Sequence, residues 1–240
     1  TLLNAIAFFI PPEARVVSIE DTRELNLPRE NWLPSVARTS MGQSKTGEVD
    51  LFMLLKSSFR QNPDYVIVGE VRGKEAFVLF QGMASGHSSI STMHADSVNT
   101  LIKRLETPPI ELSPTLLNTL DVVAIMTHAI VGSQETRKLR EVVEVVNVEN
   151  SGIALTNTPF SWNARDDVFY FKKDSKAFEK IAKKYGYTIE ELNKDFELRA
   201  KLLHELQNRK IFDFNQTQKI VNEYHKNPKA VLSAFGIKSD

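Results

Sequence analysis

The feature that most constrains this chain is a short apolar run that ends at an acidic residue. The run is Val66-Ile67-Val68, with Pro63-Asp64 before it and Gly69-Glu70-Val71-Arg72 after it. It is too short for a typical helix and is rich in β-branched residues, which predicts a buried parallel strand. Ligands of parallel α/β sheets bind just beyond the carboxyl ends of the strands. We therefore expect Glu70 at a functional edge of an α/β sheet, with Arg72 close behind it.

Strand and helix signals alternate through the first half of the chain. Strands are predicted over residues 15–19, 66–68 and 88–92, and helices over residues 1–10, 48–60, 74–84 and 97–105. This alternation predicts an α/β fold with a parallel sheet covered on both faces. Two more strands are predicted over residues 122–127 and 141–148, with a turn at Gly132-Ser133 between them.

The character of the sequence changes near Asn150. Short strands over residues 153–156, 160–162 and 168–171 predict a small β element, and Lys-rich helices follow it. Asn215, with Gln218 three residues on, is the predicted N-cap of one late helix. We expect a core over residues 1–150, and a small β element with a C-terminal helical subdomain over residues 151–240.

Composition limits the classes of function. The chain has no cysteine, which excludes disulfides and thiolate metal sites. Its 30 basic and 30 acidic residues cancel, so nothing suggests a nucleic-acid binder. Residues 151–240 nevertheless carry 16 Lys and Arg against 12 Asp and Glu, a net charge of +4. That excess suits a membrane surface or an acidic neighbour, although it is also ordinary for a solvated surface.

Acidic residues also follow the first predicted strand. Glu20, Asp21 and Glu24 lie within five residues and would repel one another unless a magnesium ion or nearby arginines compensate their charge. The alternative is a solvated turn. Glu70 is suited to orient a water for attack on a γ-phosphate, or to join a magnesium shell through water. The alternative for Glu70 is an ion pair with Arg72 or Arg60 at the strand edge.

Two histidines lie in the small, hydroxyl-rich segment that follows the helix over residues 74–84. His87 and His94 are suited to relay a change of state through hydrogen bonds, or to be ordinary turn histidines satisfied by backbone. A third alternative is a metal triad of His87, His94 and Asp96. Its spacing does not match a helix-borne ligand pair, so we do not favour it.

Four segments, taken together, resemble the secretion-superfamily ATPases, which drive type II secretion, type IV pili, archaeal flagella and conjugation. The opening Thr1-Leu2-Leu3-Asn4-Ala5 resembles the helix after the Walker A motif, and Ser18 to Thr22 resembles the aspartate box. Arg60 to Arg72 resembles a Walker B motif with Gly before the Glu. Gly86 to Ala95 resembles the histidine box. The four occur in family order. The run from Glu20 to Leu25 and the tail with Trp162 look like the archaeal branch.

The resemblance implies a RecA-like P-loop NTPase core that uses ATP and Mg²⁺. Glu70 would be the catalytic Walker B acid, Glu20 the aspartate-box acid near the γ-phosphate, and His94 the histidine that senses nucleotide state. Both acids would hold magnesium, through water. Thr1, Asp21, Arg72 and His87 would contact the nucleotide, with His87 near His94.

The resemblance also implies a homohexamer beneath a polytopic membrane platform protein, cytoplasmic and peripheral to the inner face of the cell membrane, with no nucleic-acid partner. The family's phosphate-binding loop would precede Thr1. We therefore expect the intact protein to hydrolyse ATP and the 240-residue chain alone to be inactive. Two alternatives stay open: a conjugation-type ATPase on the same core, and a non-catalytic scaffold if the chain is naturally this short.

Overall fold

The chain folds into two compact units. The computed structural model describes residues 2–38 and 47–238. The first unit comprises Thr1–Val71, His87–Thr92 and Glu190–Asp240, and the second comprises Arg72–Gly86 and Met93–Ile189. Each unit has its own β-sheet, and the sheets differ in type.

A four-stranded parallel sheet forms the centre of the first unit. Its strands are β1 (Val16–Glu20), β2 (Trp32–Val36), β3 (Tyr65–Val68) and β4 (Ser88–Ser91), in the order β2-β1-β3-β4. The apolar side chains of β1 and residues 66–68 of β3 are fully buried, as expected of strands covered on both faces. The strand predicted from the Val66-Ile67-Val68 run is therefore present.

Helices account for most of the remaining regular structure. They are α1 (Leu2–Ala7), α2 (Leu51–Ser58), α3 (Glu75–Ala84), α4 (Val98–Glu106), α5 (Pro114–Leu117), α6 (Lys176–Tyr185), α7 (Ile189–Asn208), α8 (Phe214–Lys226) and α9 (Pro228–Ala234). In the first unit, Leu3 and Ala7 of α1 join Val16 and Ile67 in one apolar core. The N-cap of α8 is Asp213, whose carboxylate accepts a hydrogen bond from the Gln216 amide, so the N-cap predicted at Asn215 is wrong.

The C-terminal helices pack against the start of the chain. The rings of Phe214 and Phe8 meet edge to face, with centroids 4.5 Å apart. The Gln218 side chain donates a hydrogen bond to the Phe8 carbonyl at 3.1 Å. Leu202, Tyr224 and Leu232 form the core among α7, α8 and α9. The last fifty residues thus belong with the parallel sheet in the first unit.

An antiparallel sheet dominates the second unit. Its strands run in chain order: β5 (Val122–Val131), β6 (Gln134–Val148), β7 (Ala154–Asn163) and β8 (Val168–Phe171). β5 and β6 are longer than predicted and form one hairpin, so they join the small β element rather than the parallel sheet. The expected division at residue 150 falls in the connection between β6 and β7. The two compact units are divided at other positions of the chain, and the domain boundary at residue 150 stays a prediction.

The predicted fold class is confirmed: a parallel α/β sheet is followed along the chain by a β element and then by helices. Across residues 2–38 and 47–238, no helix is both long and apolar enough to cross a bilayer.

Candidate active site

The carboxyl ends of β1 and β3 bring two acidic residues to one edge of the parallel sheet. Ile19 pairs with Val68, and the Gly69 amide extends the ladder by donating to the Ile19 carbonyl at 2.9 Å. Gly69 therefore lies opposite Glu20, on strands spaced by about 4.8 Å. Glu70 is the next residue along. The juxtaposition of Glu20 and Glu70 predicted from the sequence is thus present in the fold.

Glu20 is buried and held by backbone hydrogen bonds. Its side chain is only 3% exposed. One carboxylate oxygen, Oε1, accepts hydrogen bonds from the amides of Glu24 and Leu25, both at 2.9 Å, and so shapes the turn after β1. The other oxygen, Oε2, is buried and has no hydrogen-bond partner within the described chain. A buried unsatisfied oxygen is costly, which makes Oε2 a candidate ligand atom for a cation or a water.

The Glu20 side chain occupies the space next to Gly69. A Cβ atom added at Gly69 would lie 3.1 Å from the Glu20 Cγ and 3.7 Å from its Oε1. This is tighter than ordinary packing, so a larger residue at position 69 would displace the acid beside it. The missing Cβ at this strand end is therefore what lets Glu20 keep its place.

The backbone on either side of Glu70 is fixed by Thr92. The Thr92 hydroxyl donates to the Gly69 carbonyl at 2.5 Å, and the Thr92 carbonyl accepts from the Val71 amide at 2.9 Å. Glu70 itself is half-buried between these two attachments. This role of Thr92 was not predicted from the sequence. The hydroxyl-rich composition of residues 88–92 was the one available signal.

Two other predicted nucleotide contacts lie at the start of the chain and after β1. Asp21 follows Glu20 at the same sheet edge and is exposed. Thr1 lies outside the described residues. The structure therefore gives a place for Asp21 and leaves Thr1 as a prediction.

The structure places His87 away from the predicted site, where it was expected to contact the nucleotide. It precedes β4, whereas Thr92 follows that strand, so His87 lies at the amino edge of the sheet. The four residues of β4 span about 13 Å. The His87 ring packs edge to face against Phe59, with centroids 4.8 Å apart. Because residues before and after a parallel strand lie at opposite sheet edges, His87 does not join Glu20 and Glu70.

His94 lies in the second unit, in a loop that two arginines hold. Its carbonyl accepts a hydrogen bond from the Arg104 guanidinium at 2.5 Å, and the Asp96 carbonyl accepts one from Arg140 at 2.8 Å. The His94 side chain is exposed. Hydrogen bonds from the side chains of Thr100 and Ser97 lower the pKa of Asp96. Neither arginine was predicted to have this role, because both contacts are to carbonyls distant in sequence.

Arg72 is also in the second unit, and its side chain is exposed. The amides of Arg72 and Gly73 donate to the Glu75 carboxylate at 2.6 and 2.7 Å, which fixes the turn into α3.

The edge of the sheet that carries Glu20 and Glu70 would supply only part of the ligands of a magnesium ion. Over the residues that the structure describes, no three His, Cys, Asp or Glu side chains converge into a metal site, so the metal-triad alternative has no support. Magnesium commonly takes one or two carboxylates and completes its shell with phosphates and water. The unpartnered Oε2 of buried Glu20 fits that mode of binding.

Comparison with known proteins decides the family. The family described as "Type II/IV secretion system protein" matches residues 1–165, more than two thirds of the chain. The chain belongs to this family. The resemblance drawn from the four sequence segments is thereby confirmed, and all of those segments lie within the matched residues.

Relatives within the secretion family match different shares of the chain. The "Uncharacterized protein MJ1287" of Methanocaldococcus jannaschii is 36% identical over 229 residues, covering 94% of this chain and 84% of that protein. The "Type IV secretion system protein PtlH" of Bordetella pertussis is 42% identical over 107 residues, covering 44% of this chain and 31% of that protein. Among solved structures, the VirB11 ATPase of the Brucella suis type IV secretion system, in complex with sulphate, has a TM-score of 0.48 and 29% identity. That alignment covers 59% of this chain and 43% of VirB11.

Proposed function

We propose that the intact protein is an ATP-hydrolysing motor of a type II secretion or type IV pilus-like assembly system, of the archaeal pilus or archaellum kind. The observation that carries this proposal is the pair Glu20 and Glu70 at one edge of a parallel sheet, in a chain of the secretion family. The match to MJ1287, from an archaeon, over 94% of the chain supports the archaeal branch.

Glu70 orients and polarises the water that attacks the γ-phosphate of ATP. A carboxylate that accepts a hydrogen bond from the water sets its direction of attack and stabilises the proton that it loses. The two attachments of Thr92 hold the backbone on either side of Glu70 in place. Precise placement of this kind is a large part of what enzymes contribute to phosphoryl transfer.

Glu20 and Glu70 are the carboxylates that would hold Mg²⁺, through water. When bound, the ion would supply positive charge that offsets the charge of the phosphates. On Glu20, Oε2 is the oxygen available for such a water, because the amides of Glu24 and Leu25 bind Oε1.

The remaining predicted site residues have supporting roles. We assign nucleotide contacts to Thr1, Asp21 and Arg72, and the sensing of nucleotide state to His94. The hydrogen bond from Arg104 to the His94 carbonyl supports this assignment, since a sensor must be held in a defined place. His87 receives no role at this site, because it lies at the opposite edge of the sheet.

The assembly follows from the same proposal. The intact protein forms a homohexamer, works beneath a polytopic membrane platform protein and lies at the cytoplasmic face of the cell membrane. A conjugation-type secretion ATPase is the second candidate, favoured by the 42% identity to the type IV secretion protein PtlH over 107 residues.

ATP hydrolysis by the full-length protein tests the proposal. Phosphate release is expected with ATP and Mg²⁺, and chelation of the metal by EDTA should stop it. A full-length protein that binds ATP but releases no phosphate in any oligomeric state would contradict the proposal and favour a scaffold. The same assay on residues 1–240 tests the prediction that this stretch is inactive alone.

A further inference from the structure

Lysines are concentrated in helix α6 and in the residues just before it. Six lysines fall within residues 172–184: Lys172, Lys173, Lys176, Lys180, Lys183 and Lys184. Only Asp174 and Glu179 oppose them in that stretch, which leaves a net charge of +4. The whole chain has a net charge of zero, so this segment is a local concentration of charge.

The lysines at the C-terminal end of α6 lack acidic partners among the described residues. Lys176 contacts Asp174 and Glu179, at 3.4 and 2.6 Å, and Lys180 contacts Asp121 of the second unit at 2.8 Å. Lys183 and Lys184 have no acidic partner anywhere in the part of the chain that the structure describes. Lys184 instead lies over the ring of Tyr185, 5.2 Å from its centroid.

Apolar and aromatic side chains are interleaved with the lysines at this end of α6. Tyr185 is 62% exposed, Tyr187 is 54% exposed and Ile181 is 37% exposed. Residues 183–188 are all exposed in succession. We call residues 181–187 the α6 tip.

Helix α6, which carries the α6 tip, is anchored at its N-terminal end. Ser175 caps the helix through a hydrogen bond from the Phe178 amide, and the buried Glu144 carboxylate accepts hydrogen bonds from Ser175 and from the amides of Lys176 and Ala177. Gly186, in the left-handed region at φ 76°, ends the helix. Both ends of α6 are therefore fixed by defined contacts, and the side chains on its exposed face have defined positions.

We propose that the α6 tip binds an anionic lipid surface. Lysines beside tyrosines and isoleucine on an exposed helix end are the composition of interfacial membrane segments, in which cations meet the headgroups and aromatic rings lie at the headgroup level. The charges of Lys183 and Lys184, unpaired within the described chain, complement the negative charge of such a surface. The inference does not depend on ATP hydrolysis and is tested without nucleotide.

Flotation of the purified full-length protein with lipid vesicles tests the α6 tip. We expect binding to phosphatidylcholine vesicles that contain phosphatidylglycerol and none to phosphatidylcholine alone. Binding should fall as salt rises, because the Debye length shrinks from about 10 Å at 0.1 M to about 3 Å at 1 M. Lys183→Glu combined with Lys184→Glu should weaken the apparent affinity about tenfold or more.

Lys219→Glu combined with Lys229→Glu is the matched control, since it changes net charge equally at exposed lysines of the first unit. It should retain the affinity of the parent protein. Equal losses of affinity in the two double variants would overturn the proposal. So would a parent protein that does not bind anionic vesicles, as expected if the α6 tip binds an acidic protein instead. Circular dichroism checks that the variants fold. If the double Glu variant at positions 183 and 184 does not fold, Lys183→Gln combined with Lys184→Gln replaces it.

A second readout locates the contact. In Tyr185→Trp, anionic vesicles should shift the added tryptophan emission to shorter wavelength, because the indole leaves water for the headgroup region. The parent protein, with Trp32 and Trp162, provides the background spectrum. Binding without any shift beyond that background would place the lipid contact elsewhere and overturn the proposal.

Discussion

At the scale of single residues, Gly69 and Glu20 depend on one another. The strand ends approach so closely that a Cβ at position 69 would lie 3.1 Å from the Glu20 Cγ. Glu20 cannot retreat easily, because its Oε1 is bound by the amides of Glu24 and Leu25. The identity of residue 69 thus controls the position of a buried acid.

Substitution of Gly69 tests this dependence. Gly69→Ala in the full-length protein should displace Glu20 by a few tenths of an ångström and lower ATP turnover roughly tenfold, since small misplacements near reacting groups are costly. Nucleotide affinity should change less. Steady-state phosphate release and nucleotide titration measure the two quantities. Unaltered turnover would show that the contact between Gly69 and Glu20 does not matter for activity.

Glu144 provides a second residue-scale test, in the second unit. Burial raises the pKa of this carboxyl, but hydrogen bonds from Ser175, Asn157 and the amides of Lys176 and Ala177 outweigh the burial and lower it below its usual value. The ionised form is therefore favoured in the folded protein. Glu144 stabilises the fold above the unfolded pKa of about 4.3, and this contribution is lost as pH falls through the lowered pKa.

Glu144→Gln should accordingly reduce the free energy of unfolding at pH 7 by about 1–3 kcal/mol, because amide donors to a buried acceptor lose a charged partner. Thermal unfolding followed at descending pH should show the variant and parent converging in acid. Glu135→Gln, at an exposed position of β6, is the control and should leave the unfolding temperature unchanged. A difference that stays constant down to strongly acid pH would contradict the role given to the Glu144 charge.

At the scale of secondary-structure elements, the sequence predicts what local pattern decides. The buried strand at residues 66–68, the helix over residues 75–84 and the Ser97 cap of α4 all follow from runs and spacings within a few residues. The edge shared by Glu20 and Glu70 also follows, because parallel strands deliver their carboxyl ends together.

What the sequence does not predict depends on pairing between distant segments. The long hairpin of β5 and β6 joins the antiparallel sheet because β7 pairs with β6, a choice that no local pattern records. The resemblance implied that His87 lies near His94, yet β4, itself a predicted strand, runs between them. Thr92, Arg104 and Arg140 act on backbone carbonyls, and a side chain's sequence context gives no sign of such contacts.

Thr92 offers the test at this scale, because it joins the ends of β3 and β4. Thr92→Val keeps the shape but removes the hydroxyl that donates to the Gly69 carbonyl. We expect ATP turnover to fall roughly tenfold as the segment around Glu70 loosens. Thr92→Ser, which keeps the hydroxyl, should retain most activity. Equal turnover in the two variants would mean that the Thr92 hydroxyl does not position Glu70.

At the scale of the whole molecule, the chain combines a part that the secretion family matches and a C-terminal part beyond that match. The secretion-family match covers residues 1–165, which contain every predicted site residue. The helices α6 to α9 lie beyond it, and the α6 tip is among the most exposed apolar surfaces there. Catalysis is therefore expected to follow the family, and contacts with membranes or partners to depend on the tail.

Glu70 is proposed to activate the water that attacks ATP, and the turnover of its amide variant tests that role. ATP turnover and ATP affinity are measured for the full-length protein and for Glu70→Gln, beside Glu30→Gln, an exposed acid near the amino end of β2. We predict that Glu70→Gln binds ATP about as well as the parent and loses at least about a hundredfold in turnover, as expected for a lost general base, while Glu30→Gln stays active. Turnover of Glu70→Gln equal to that of Glu30→Gln would contradict the claim.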